Sequence, residues 1–318
     1  METPTRRPTL DEVALRAGVS RSAASRAINN ARHVSRATRE AVEQAIQELG
    51  YVPNPSARAL ATQQATAVIL AVSHNDPALF ADPFFGQIIV GISAALETTD
   101  LVLMLALANS PHGRERVQRV LRSRRADGVM LLSLRGDDPL YRLTEQLGLP
   151  VVIGGRPLHG EPAWYVDADN RGGARLATEH LIALGRRRIA TITGEIDSRA
   201  GAERLRGFQE TLAVAGLDNT LIEYGDFTEE SGVRATARLL AAHPDMDALF
   251  AASDSMAAGA MRALKAHGRS VPADVAVVGF DDLPIARHTD PPLTSVNQPI
   301  QALGREMAKM LIGLMNGE

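Results

Sequence analysis

Cysteine is absent from the 318 residues, no run of eighteen apolar residues occurs, and the N-terminus lacks the basic, apolar and small-residue series that directs export. The first absence excludes a disulfide framework, the second a membrane-spanning helix, and the third argues against secretion. A soluble, cytoplasmic protein with no membrane partner is the expectation. Catalytic signatures are also missing: there is no Gly-x-Gly-x-x-Gly, no Gly-x-x-x-x-Gly-Lys, no Gly-x-Ser-x-Gly and no His-Glu-x-x-His, and the eight histidines are scattered. No enzyme activity, cofactor or metal is expected, although fold class alone never excludes catalysis.

What is present is enough chain, 45% hydrophobic, for two or three compact units. The net charge of −3 hides an asymmetry: residues 1–62 carry nine Arg against six acidic residues, and the remainder 25 basic against 31 acidic. A basic head on an acidic body suits a nucleic-acid-binding head joined to a ligand-binding body, although such an excess is also common on solvated surfaces.

Thr9 followed by Glu12 forms a capping box, and Leu10, Val13, Ala14 and Ala17 share one helical face. Gly18 ends this first helix, Val19 is an apolar anchor, and Ser20 caps a second helix reaching about Asn29. Helix, glycine turn, helix is the layout of helix-turn-helix proteins, with a plain helical hairpin as the alternative. In the DNA-binding layout Ser20, Arg21, Ser22, Ser25 and Arg26 meet base edges and phosphates, while Ala24, Ala27 and Ile28 pack inward. A third helix begins after Ser35, carries Val42, Ala45, Ile46 and Leu49, and stops at Gly50. About fifty residues hold only a thin core, so this head should be marginally stable. In the segment Tyr51 to Thr62, Asn54 and Pro55 can start a short helix that forms only when something packs on it; a plain linker is the alternative.

The run Thr9-Leu10-Asp11-Glu12-Val13-Ala14, then Ala17-Gly18-Val19-Ser20, Ser25-Arg26-Ala27-Ile28-Asn29, Val34-Ser35, Thr38-Arg39 and Leu49-Gly50-Tyr51-Val52-Pro53-Asn54 closely resembles the head of the lactose/galactose repressor (LacI/GalR) family. The resemblance implies a hinge helix that pairs with its dimer mate in the minor groove, where a leucine, here Leu60, levers open a base step. It implies DNA contacts from Thr9, Ser20, Arg21, Ser22, Ser25, Arg26, Asn29, Tyr51, Asn54, Ala57 and Leu60. Residues 21 and 22 vary within that family and select the operator, so Arg21 and Ser22 mark where sequence is read.

From about residue 66 short apolar runs alternate with helical segments. Strands are expected at Ala67–Val72, Leu101–Ala108, Gly128–Ser133, Pro150–Gly154, Arg188–Gly194, Ala248–Ser253 and Val275–Phe280. This alternation predicts α/β lobes with mostly parallel sheets, and ligands then bind beyond the carboxyl ends of the strands. The loops there offer Asp82, Phe84 and Phe85, then Arg156, Trp164 ahead of Asp167, Arg204, Ser253-Asp254 and Asp281-Asp282. Aromatic faces stack on sugar or base faces, and carboxylates with arginines grip hydroxyls. Asp169 and Asn170 could equally fix a helix N-terminus, Trp164 could be half-buried packing, and Phe84 could be core.

Asp169-Asn170 with Gly172-Gly173, His180-Leu181, Leu184-Gly185, Arg204 with Gly207-Phe208, Asp254 with Met256-Ala257-Ala258-Gly259, and Val278-Gly279-Phe280-Asp281-Asp282 resemble the family's effector domain, itself similar to periplasmic sugar-binding proteins. The resemblance points to Arg204 and Asp281 as effector ligands, and it departs at Ser253, where the family often has Asn. The expected organisation is a helix-turn-helix domain at 1–52, a hinge and linker at 53–65, and an effector and dimerisation domain at 66–318. Its N-lobe would take about 66–156 plus 284–296, and its C-lobe about 157–283 plus 297–318.

The expected function is a transcriptional regulator, a repressor in type, that binds double-stranded palindromic operator DNA as a homodimer under allosteric control of a small-molecule effector. A mono- or oligosaccharide is the favoured effector, and a nucleobase or phosphorylated compound the runner-up. The sequence has no long leucine-heptad tail of the kind that joins dimers, so a dimer rather than a tetramer is expected. The rival is a sensor or transport-type binding protein without DNA function, which would lack a head such as residues 9–60.

Overall fold

The computed structural model describes residues 8–29, 33–52, 65–73, 83–108, 110–133, 138–159 and 162–318. It divides into two compact units, residues 1–66 and 67–318.

The first unit holds α1 (Leu10–Arg16), α2 (Arg21–Ile28) and α3 (Arg36–Leu49). Its limits follow from capping chemistry. Thr9 and Glu12 exchange the two bonds of the capping box, and Ser20 and Ser35 accept from the backbone N–H groups of Ala23 and Thr38. Gly18 and Gly50 adopt φ of 67° and 62°, a left-handed backbone that costs glycine nothing. Val13, Ala14, Ala24, Ala27, Val42 and Ala45 make the core. Mostly alanine and valine, it brings the helices close while burying little area, as expected of a head this small.

In the second unit, the N-lobe has β1 (Ala67–Val72), α4 (Pro83–Leu96), β2 (Val102–Leu107), α5 (Pro111–Arg122), β3 (Gly128–Leu132), α6 (Pro139–Leu147), β4 (Val151–Gly154) and β5 (Tyr165–Val166). The chain continues through α7 (Asn170–Ala183), β6 (Ile189–Thr193), α8 (Arg199–Val214), β7 (Ile222–Tyr224), α9 (Glu229–Ala242), β8 (Ala248–Ala251), α10 (Asp254–Ala266) and β9 (Ala276–Asp281). After a 3-10 turn (Pro284–Arg287), β10 (Thr294–Asn297) and α11 (Ile300–Asn316) complete it. All strand pairs are parallel, in the orders β2-β1-β3-β4-β5 and β10-β9-β8-β6-β7. Fully buried apolar runs such as Val68 to Val72 are what a sheet covered on both faces requires.

The expected lobe limits need correction. Residues 165–166 pair with β4 and extend the N-lobe sheet past residue 156. Segment 284–296 does not belong wholly to the N-lobe: Leu283 and Ile285 visit the N-lobe core, but β10 pairs with β9 in the C-lobe sheet, Thr294 opposite Val278. Segment 297–318 is N-lobe rather than C-lobe, because the apolar face of α11 (Met307, Ala308 and Leu311) fills the N-lobe core. The chain therefore passes between the lobes at residues 167–169 and at 298–299, while the loop 282–293, which joins two C-lobe strands, leans on the N-lobe core through Leu283 and Ile285.

Helices α4 and α11 touch through glycine. A Cβ on Gly91 would lie 2.1 Å from the carbonyl oxygen of Gln301, and one on Gly304 would lie 2.3 Å from that of Ile88. An alanine gains roughly 1 kcal/mol in a helix interior, but here main chain would have to move. Gly304→Ala is therefore expected to destabilise the body by about 1–3 kcal/mol in urea unfolding; an unchanged midpoint would show that the two helices can part freely.

Candidate functional site

In α2 of the head, Arg21, Ser22 and Arg26 are exposed while Ala24 and Ala27 are buried, so the face opposite the core carries the polar groups. Ser20 is occupied as the cap, Ser22 sits 3.1 Å from it, and Arg21 lies 3.3 Å from Asp11. That exposed ion pair is weak and yields readily to a phosphate. Asn29 closes α2 through its side chain and backbone N–H to the Ser25 carbonyl, and Tyr51 packs on the head core, so both position the helix. Thr9 is engaged in its capping box. Asn54, Ala57, Leu60 and Asp82 lie outside the described residues.

Between the lobes of the body, at the carboxyl ends of both sheets, lies a cavity of about 410 Å³. Phe84, Phe85, Ile88 and Arg156 line it from the N-lobe; Arg204, Phe227 and Asp281 line it from the C-lobe. Its floor is one buried guanidinium. Arg204, 4% exposed, donates from Nε to Asn170 Oδ1 (2.8 Å), from Nη1 to the Ala252 carbonyl (2.5 Å) and from Nη2 to Gln298 Oε1 (3.0 Å). Nη2 also lies 3.2 Å from Asp281 Oδ1, and the guanidinium carbon sits 3.6 Å over the Phe280 ring. Burial pulls the Arg204 pKa down and the Asp281 carboxylate opposes it; an arginine so placed stays charged.

This network reaches both lobe crossings. Asn170 donates onward to Asp167 Oδ1 at 3.2 Å, and Asp167 Oδ2 receives the backbone N–H and Nε of Arg156, both at 3.3 Å. Asp281 opens the loop 282–293 that leans on the N-lobe, and Gln298 opens the second crossing. Asp281 and Asp282 hold φ of 105° and 52°, strained values for non-glycine residues that persist only where the surroundings over-determine them.

Phe84, Phe85, Arg156, Arg204 and Asp281 thus converge on one cavity. Phe84 and Phe85 stand edge to face, centroids 5.3 Å apart. Trp164 is 45% exposed on the β5 edge and does not line the cavity. Ser253 is buried as the cap of α10, accepting from Met256 N–H, and its neighbour Ser255 lines the cavity instead. Asp254 points away from the cavity, accepting from Ser295 Oγ (2.6 Å) and Leu283 N–H (2.7 Å), and so ties α10 to both ends of the loop between β9 and β10. Asp169 caps α7 through Gly172 N–H.

Residues the sequence did not single out include Gln298 and Phe227. Phe227 holds φ of 67° with its ring against Gly194, where a Cβ would lie 2.0 Å from it. No local signal announces a bulky residue in that conformation.

A helix-turn-helix head joined to a two-lobed α/β body with a ligand-sized interlobe cavity defines a class, the effector-responsive DNA-binding regulators. Residues 9–54 match the family described as bacterial regulatory proteins, lacI family, and residues 178–318 match the periplasmic binding protein-like domain. The HTH-type transcriptional regulator CelR of Thermobifida fusca is 52% identical over 317 residues, covering 98% of this chain and 93% of that protein. GalR of Escherichia coli (strain K12) is 34% identical over 310 residues, covering 96% and 89%. Among solved structures, a CelR–cellobiose complex superposes with a TM-score of 0.77 at 51% identity, covering 98% of this chain and 94% of that one. The lac repressor dimer bound to operator and the anti-inducer ONPF gives 0.85 at 30% identity with the same coverage. The chain belongs to the LacI family and is a DNA-binding transcriptional regulator. Among the described residues no helix is long and apolar enough to cross a membrane.

Burial pushes the Asp254 carboxyl up to about 6, against the two donors that hold it down. Because this native pKa lies above the unfolded value, the protonated form favours folding. That contribution is complete below about pH 4 and is lost as pH rises through about 6, a change of up to about 3 kcal/mol. Asp254→Asn should flatten the fall in urea midpoint between pH 4.5 and 7 relative to the wild type; parallel profiles would show that Asp254 does not titrate in this window.

Proposed function

We propose that the chain is a homodimeric repressor of a palindromic operator whose DNA grip is set by a neutral oligosaccharide of the cellobiose type in the interlobe cavity. One observation carries the choice of effector: each arginine lining the cavity already faces a carboxylate. Arg156 is held by Asp167, Arg199 by Glu203 and Arg204 by Asp281. The C-lobe rim adds Asp226, Glu229 and Glu230. A phosphorylated compound would meet no uncommitted cation among the described lining residues and would pay for its charge. A neutral sugar uses the same groups as hydrogen-bond partners, with Phe84 and Phe227 as apolar faces. The cavity volume fits a small-molecule site, and the solved CelR complex holds cellobiose.

In this reading α2 of each protomer enters a major groove with Arg21, Ser22, Ser25 and Arg26 reading bases and phosphates, while Asn54, Ala57 and Leu60 serve the minor groove between them. The body binds no membrane, performs no catalytic step, and acts in the cytoplasm. Sugar binding closes the lobes and changes the relation between the two N-lobes from which the heads hang. It acts only through a difference in affinity between two states, and a few kcal/mol suffices.

Selection from random duplexes, with and without cellobiose, tests this. A palindrome should be enriched and its affinity moved by cellobiose but not by glucose 6-phosphate; enrichment indifferent to neutral sugars would overturn the effector assignment. Phe227→Ala should weaken cellobiose binding about threefold to tenfold in calorimetry while leaving operator affinity without sugar unchanged. Equal sugar affinity in the variant would remove Phe227 from the site.

A further inference from the structure

The body carries a net negative charge, yet one of its segments concentrates the opposite sign. Six arginines (114, 116, 119, 122, 124 and 125) fall within twelve residues, against Glu115 and Asp127. Helical geometry sorts them. Val117 and Leu121 are buried on the N-lobe core, and Arg116, Arg119 and Arg122 are exposed on the opposite side of α5, with Arg124 and Arg125 exposed in the turn that follows. Among the described residues no ion pair or hydrogen bond engages any of these six side chains. Elsewhere the body pairs its arginines freely, as with Arg171 and Arg206 on Glu210. Like charges so close repel one another, and such a face attracts and is stabilised by an anionic partner.

The position narrows the partner. The turn after α5 runs directly into β3, and Asp127 N–H donates to the Ala67 carbonyl at 2.8 Å. Ala67 is the first residue of β1, where the chain arriving from the DNA-binding head joins the body. The basic turn therefore sits at the end of the N-lobe to which the head is tethered. Guanidinium groups suit backbone phosphates, which they grip in pairs of hydrogen bonds.

We infer that the arginine face of α5 is a second, sequence-independent DNA contact, which engages backbone phosphates of duplex flanking the operator. The inference rests on the operator-binding reading and adds a surface to it. Such contacts raise affinity through counterion release and leave base selection to α2.

The test uses the full-length protein and two duplexes, the selected palindrome alone and the same palindrome with about ten further base pairs, one helical turn, on each side. Affinities are measured by fluorescence anisotropy across a potassium chloride series. The wild type should bind the longer duplex more tightly, with a steeper dependence of log Kd on log salt. Arg116→Gln/Arg119→Gln/Arg122→Gln should erase most of that difference, the slope falling by up to about 5 for six guanidiniums per dimer at roughly 0.9 per lost contact, and leave binding to the palindrome alone unchanged. Arg124→Gln/Arg125→Gln should do the same to a smaller degree.

The assignment is overturned if flanks add nothing in the wild type or if the longer duplex keeps its advantage in the variants. A shift of the dimer equilibrium by the variants in sedimentation would overturn it too, placing the face between copies of the chain. Binding of a poly-glutamate peptide by the wild type and not by the triple variant, with indifferent flanks, would assign the face to an acidic polypeptide. An Arg21→Ala/Arg26→Ala control separates the two readings: it must lose the palindrome, and if it does not, the head assignment has failed rather than the α5 contact alone.

Discussion

The body is organised around one charge almost wholly withdrawn from water, the Arg204 guanidinium. Removing a guanidinium from solvent costs several kcal/mol, and the cost is offset only if its donors find partners and its charge a counter-ion. Arg204 meets that demand with Asn170, the Ala252 carbonyl, Gln298 and Asp281, which come from the head of α7, the end of β8, the start of the second crossing and the end of β9. Each partner is fixed because the others are. The strained backbone at Asp281 and Asp282 belongs to the same constraint. The cavity floor, the two crossings and the C-terminal strand ends are therefore held by one set of polar contacts.

A regulator needs this economy. A sensor whose ligand contacts were spread over independent loops would bind without changing the relation of its lobes. Here the chain Arg156–Asp167–Asn170–Arg204 links the N-lobe rim to the C-lobe floor through successive hydrogen bonds. Asp254, buried beside it, ties α10 to the loop between β9 and β10 without reaching the cavity. The polar groups thus divide between those that face the cavity and those that hold the first set in place, and Asn170, Ser253 and Asp254 of the second set are as buried as the apolar core.

Sequence legibility follows the same physics. The head could be read nearly residue by residue because its limits are local: Thr9 with Glu12, Ser20, Ser35 and Gly50 act within one turn of themselves. The central strands announced themselves as apolar runs. The short strands β5, β7 and β10 did not, being sheet edges or next to crossings with only two to four residues of mixed polarity. The affiliation of α11 is not legible, because an amphipathic helix declares a buried face and not the core that receives it. At the site, position after a strand placed Arg204, Asp281, Arg156, Phe84 and Phe85 at the correct end of the lobes. That argument cannot distinguish a side chain facing the cavity from one turned beneath it, so Ser253 and Asp254 were grouped with ligands although they fix backbone, and Trp164 although it lies on an exposed edge. Gln298 and Phe227 depend on long-range packing and left no local trace.

The central claim is that cavity and head are coupled through two states of one dimer. It is tested most directly by reciprocity: operator affinity measured without and with saturating cellobiose, and cellobiose affinity measured without and with saturating operator. Linkage requires the same factor in both experiments, and the account predicts a factor of at least about five, the lower end of ordinary allosteric coupling. Cellobiose that binds in the cavity while operator affinity stays unchanged would contradict it.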